Sequence, residues 1–183
     1  MTEYTIENLF SIAIQQCSSS TKIKMMVHNG QINTRNIPSI INILERHLPN
    51  VLVTECFNDE NLPFSVEVKK TEVGHLFEHI LLEYLCQMKI NKGYTTATYE
   101  GRTRWNWQRD PKGTFHIRLS CGSRDADILP QALDKTISLM KLILQYNQNR
   151  LSPLPRYVFT RNGLKNGKKS RKKRTTTFSS LKI

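Results

Sequence analysis

His75, Glu78 and His79 lie within Gly74-His75-Leu76-Phe77-Glu78-His79, the H-x-x-E-H order of an inverted zinc-peptidase motif. At ~100° per residue, a helix puts both imidazoles on one face, a turn apart, with the carboxylate beside them. Neutral imidazoles bind a borderline cation such as zinc at ~2.0–2.1 Å, and an open coordination position brings the pKa of a water to ~7. Glu78 would then be the catalytic base, taking that proton and passing it to a leaving amine. Glu83, a rise of ~6 Å beyond His79, is better suited to orienting an imidazole from behind. A plainer reading exists: with five histidines in 183 residues, an i, i+4 pair can simply cap a polar cleft.

Catalysis of this kind needs a third protein ligand. No Asp, Glu, His or Cys follows Asp134, so the supplier is sought before it. Asp127 and Asp125 at the start of a long helix, Glu100 at a strand end, and Cys121 are the options, and Asp127 is favoured.

The elements that must hold these groups follow from apolar spacing. Ile6, Leu9, Phe10, Ala13 and Ile14 suggest a leading helix within Met1–Cys17, and Ile23, Met25 and Val27 alternate as a strand closed by Asn29-Gly30. Pro38 opens a helix that Pro49-Asn50 stops, and Val51–Phe57 with Phe64–Val68 reads as a hairpin. The motif helix runs over roughly Glu72–Lys89, apolar around most of its circumference and therefore buried. Strands at Tyr94–Thr103 and Thr114–Cys121 and a helix over Asp125–Asn149 complete the chain. The order βα-ββ-α-ββ-α predicts an α+β fold, a largely antiparallel sheet with helices packed on one face.

The 183 residues suffice for one domain plus an appendage. The formal charge is +12, yet residues 155–183 hold ten Lys/Arg and no Asp/Glu, which leaves the body at 12 − 10 = +2. The expected division is a domain over 1–160 and a basic, disordered tail over 161–183, with Tyr157-Val158-Phe159 able to add a short edge strand. Lys168, Lys169, Arg171, Lys172, Lys173 and Arg174 suit nucleic acid, another polyanion or an acidic protein, with salt-dependent affinity. A noncatalytic nucleic-acid-binding role for this tail is the alternative to metal chemistry; a solvated tail or a targeting signal is the plainer reading. Trp105 and Trp107, between Arg104 and Arg109, could stack on bases or plug a core edge. Four scattered cysteines without a C-x-x-C pair, no signal peptide and no long apolar run predict a reducing, cytoplasmic setting and no membrane association.

Beyond the five motif residues, Thr71-Glu72-Val73-Gly74-His75-Leu76-Phe77-Glu78-His79-Ile80-Leu81-Leu82-Glu83 resembles the G-H-x-x-E-H-x-A-L-E-L segment of the amino-terminal domain of cyanophycin synthetases. Leu48-Pro49 with Glu55-Cys56 is similar to that domain's "LP…HRC" region, Tyr99–Arg104 to its "FGKTR" strand, and Gly113–Ile117 to its "G-x-Y-x-V" strand. The likeness covers roughly residues 37–145. It implies a domain that holds an Asp-backbone, Arg-side-chain polymer and, in some members, trims it at a metallopeptidase-like site. It further implies His75 and His79 as ligands, Glu78 as base, and Arg102 or Arg104 as substrate carboxylate-binding groups, a role that suits a guanidinium fork. Two positions depart: Leu81 replaces an alanine, and Ser120-Cys121-Gly122-Ser123 replaces an acidic run. The synthetases continue into ATP-grasp and ligase domains; these residues contain no phosphate-cradling Gly-rich loop, so polymer synthesis is not expected of them. The motif helix and the Gly101-Arg102-Thr103 strand are similar also to S-ribosylhomocysteinase, a metal-dependent lyase with a third Cys ligand; that family's Cys lies beyond the equivalent of the long helix, where this chain has none, and Cys121 is the thiol left for the role.

Overall fold

Apolar residues two apart on three strands build one wall of the core. Phe10, Ile12 and Ile14 pair with Val27, Met25 and Ile23, and the last two pair in turn with Phe115 and Ile117. All these side chains are buried, while Lys22, Lys24, His116 and Arg118 between them are exposed, so the sheet has one dry face and one wet face. The computed structural model describes residues 1–56 and 62–151.

The strands are β1 (Thr2–Ile6), β2 (Phe10–Gln16), β3 (Thr21–Val27), β4 (Gly101–Arg104) and β5 (Thr114–Leu119). They form a fully antiparallel sheet in the order β1-β2-β3-β5-β4. The helices are α1 (Ile40–His47), α2 (Phe64–Glu67), α3 (Val73–Asn91) and α4 (Leu129–Leu151), with 3-10 turns at Pro49–Val53 and Ser123–Asp125. Helix α3 packs against β4, β5, the first 3-10 turn and α4. The fold is α+β, with the helices on one face of an antiparallel sheet, as the sequence predicts.

Three expectations are corrected. Met1–Cys17 is a hairpin, not a helix: Leu9 N–H bonds to Ile6 O at 3.0 Å and Glu7 takes a left-handed φ of 48°, turning the chain so that Phe10, Ile12 and Ile14 alternate inward. Among the described residues the expected hairpin of Val51–Phe57 with Phe64–Val68 is absent: Pro49 starts a 3-10 turn over Pro49–Val53, and α2 begins at Phe64. The strand expected from Tyr94 begins only at Gly101. Tyr157–Phe159 and the basic tail lie outside the described residues.

Two features fix α3 against the sheet. A Cβ at Gly74 would overlap the Phe115 ring, so glycine is what allows the helix backbone to approach β5. At the other end Gly93, with φ 91°, closes the helix as a left-handed C-terminal cap.

Candidate metal centre

The first two turns of α3 aim His75 and His79 at the segment that leaves the 3-10 turn. Their Nε2 atoms lie 3.1 Å apart, and Cys56 Sγ is 3.5 Å from His75 Nε2. All three donor atoms fall within 4.8 Å of one another. A tetrahedral ion at ~2.0–2.1 Å from nitrogen and ~2.3 Å from sulfur spaces its donors ~3.3–3.6 Å apart, a spacing that the His75–His79 and Cys56–His75 separations match closely.

Both rings are held from behind by hydroxyls. Thr71 Oγ1 is 2.7 Å from His75 Nδ1, and Thr54 Oγ1 is 3.1 Å from His79 Nδ1. Thr54 has one hydroxyl proton, which it donates to Val51 O at 2.7 Å. It therefore accepts from His79 Nδ1–H, and His79 Nε2 carries the free lone pair a cation needs. Phe64 of α2 stacks on His79, with ring centroids 3.8 Å apart and planes 10° apart, and meets His75 edge-on. This fully buried ring keeps water from one side of the cluster.

Burial keeps the three donors neutral in the metal-free site. Burial, then the neighbouring His75, lowers the His79 pKa to about 3. Burial also lowers His75, against the charge of Glu67, so both rings are neutral at pH 7. Burial followed by the charges of Glu67 and Glu78 pushes the Cys56 thiol up to about 11, and a cation bound there would reverse that by stabilising the thiolate. Glu67 itself is only 8% exposed, and its Oε1 has no hydrogen-bond partner. A buried carboxylate oxygen without a partner is costly, and a divalent ion beside it would compensate.

Glu78, 4% exposed, sits on the sheet side of α3. Its Oε2 accepts from Thr103 Oγ1, and a Cβ at position 101 would stand 2.5 Å from its Oε1, so Gly101 makes room for the carboxylate. Burial raises its pKa to about 7 despite the Thr103 bond.

His75 and His79 are thus brought together, with Cys56 beside them where Asp127 was expected, while Glu78 lies on the sheet side of the same helix against Thr103 and Gly101. Asp127 is exposed and pairs with Lys92, just past the C-terminus of α3, ~20 Å along the helix from His79. Asp125 binds Lys89 Nζ at 2.7 Å and Tyr99 Oη at 2.8 Å. Cys121 is buried near Asp125, its carbonyl accepting from Thr21, and Glu100 is exposed on the strand side. Glu83 accepts from Gln87 at 2.9 Å; the orienting place expected for it is taken by Thr54 and Thr71. Arg102 and Arg104 stand on the wet face of the sheet with Lys22, Lys24 and Arg118, around a concavity of about 420 Å³. Trp105 and Trp107 pack edge-on against Phe115 at 6.0 and 5.9 Å, and Trp107 Nε1–H donates to Thr114 O at 3.1 Å, so they cap the core edge. All four cysteines are free, and among the described residues no helix is long and apolar enough to cross a membrane.

An α+β domain whose central helix opens beneath a converging Cys, His, His cluster, with a buried carboxylate one face round, is the class that fold and site define. The model of the cyanophycin synthase-like N-terminal domain matches residues 22–132, and the chain belongs to that family. No curated protein and no solved structure matches it.

Proposed function

We propose that this chain is a metal-dependent hydrolase of amide bonds, acting on a peptide or on an Asp/Arg-type polymer, with zinc held by Cys56, His75 and His79. The observation that carries the reading is the convergence of two Nε2 atoms and one Sγ, with Thr54 and Thr71 placed behind the rings. The bound ion supplies Lewis-acid polarisation of the scissile carbonyl and raises the acidity of water. Glu78 does the proton work. Burial holds the Glu78 carboxyl above the usual carboxylate range in the metal-free protein, and in the proposed reaction this group accepts a proton from the attacking water and releases it to the departing amine. Thr103 fixes one of its oxygens. Phe64 limits solvent around His79 and so strengthens the fields inside the site.

Metal analysis of the purified chain tests this directly. One zinc per chain is expected, lost in Cys56→Ser and in the His75→Ala, His79→Ala double variant. Glu78→Gln is expected to retain the metal while hydrolysis falls by at least ~10². Protein that stays metal-free under metal-replete conditions sinks the proposal.

A further inference from the structure

We infer that the occupant of the site is an extended peptide that adds a sixth strand to the free edge of β4, with acidic side chains at alternate positions beside Arg102 and Arg104. Strand β4 ends the sheet, and no described strand pairs with its outer side. The ladder fixes which of its main-chain groups are available. Val27 N–H donates to Gly113 O, so with the β3–β5 register the odd-numbered residues of β5 bond to β3. Its even-numbered residues are left for β4, and Ser120 N–H indeed donates to Glu100 O at 2.8 Å. Arg102 and Arg104, opposite Arg118 and His116, therefore bond inward. Gly101 and Thr103 turn their N–H and C=O groups out to the edge. Unpaired edge groups of this kind are a template for strand addition.

These two residues are also the ones that touch the base. Thr103 donates to Glu78 and Gly101 makes room for its carboxylate, so a strand on this edge passes alongside the group proposed to move the proton. The edge also dictates composition. Arg102 and Arg104 would occupy non-hydrogen-bonded positions of the new pair, where facing Cα atoms approach to ~4.5 Å and side chains are closest. Both are exposed on the wet face beside Lys22, Lys24 and Arg118. Carboxylates opposite them meet guanidinium forks, whereas basic side chains are repelled.

The role of Glu78 in this picture rests on the proposed hydrolase; the docking geometry does not. The test uses the full chain carrying Glu78→Gln, and a capped alternating Glu-Val hexapeptide as probe. N-methylation of the valine amides, which would face β4, is expected to weaken binding at least ~10-fold, while N-methylation of the glutamate amides leaves it near the parent. Replacing Arg102 and Arg104 together by Ala is expected to cost the glutamate peptide ~10-fold and its glutamine counterpart little. Equal affinity of the two methylated isomers overturns strand addition even if zinc and hydrolysis are found. Methyl asymmetry in a protein that holds no zinc supports strand addition and removes only the hydrolase. Failure of every peptide to bind, with the chain sedimenting as a dimer, assigns the edge to a second copy and overturns the proposal.

Discussion

Glu78 and His79 are adjacent, buried and pushed in opposite directions by the same desolvation, and this has a measurable signature. In metal-free protein Glu78 titrates at about 7, against 4.5 when unfolded. Between those values the native state holds a proton the unfolded state has released. Its contribution is fully present below pH 4.5 and lost as pH rises through 7, about 3 kcal/mol at ~1.4 kcal/mol per pH decade. His79 acts in the other sense: with its pKa at about 3, the native ring stays neutral while the unfolded one charges, so stability rises with pH from 3 to 6.5. The two slopes offset one another in the wild type, and Glu78→Gln separates them. Urea titrations in chelator should find the variant more stable than wild type at pH 8.5, by about 3 kcal/mol, with the gap closing at pH 4.5; a gap independent of pH would contradict the burial argument. At this scale the H-x-x-E-H triplet was legible because its members share one helix, and helical spacing is a property of sequence. Cys56 was not, since a donor from a preceding loop joins the cluster only when the chain folds.

Among the elements, α3 is decisive because it touches both the sheet and the donor loop. Gly74→Ala is expected to destabilise the chain by about 1–3 kcal/mol, the usual cost of forcing a methyl into a packed contact. Calorimetry would register it, together with weaker zinc binding as the helix start lifts from β5. An unchanged melting temperature would mean that Phe115 swings away freely. The motif helix was predictable to within two residues because its apolar residues are long in sequence and unbroken. The first hairpin was not, because Ile6, Leu9, Phe10, Ala13 and Ile14 satisfy a 3.6 period while Phe10, Ile12 and Ile14 satisfy a period of two. The left-handed Glu7 decides between them, and glutamate rarely advertises such a turn. Val51–Val53 misled for a related reason: β-branched residues suggest a strand, yet Pro49 at the first position favours a helical turn.

Across the whole molecule, charge is distributed as unevenly as hydrophobicity. On the wet face Lys22, Arg118 and Arg102 lie in one cross-strand row, and like charges directly opposed cost ~0.2–1 kcal/mol each. Arg118→Gln is therefore expected to raise stability by about 0.5–1 kcal/mol in low salt, with the gain shrinking toward ~1 M salt as screening removes it. Denaturant titrations at the two ionic strengths would check this. The donors of the candidate centre come from two separate stretches, Cys56 on one side and His75 with His79 on the other. An ion bridging them would cross-link the backbone, closing a loop of ~20 residues much as a disulfide does, and would remove unfolded-chain entropy accordingly. Chelation should then open that loop to proteases before the rest of the chain, so that the first cuts fall between Cys56 and His75 and vanish when zinc is returned.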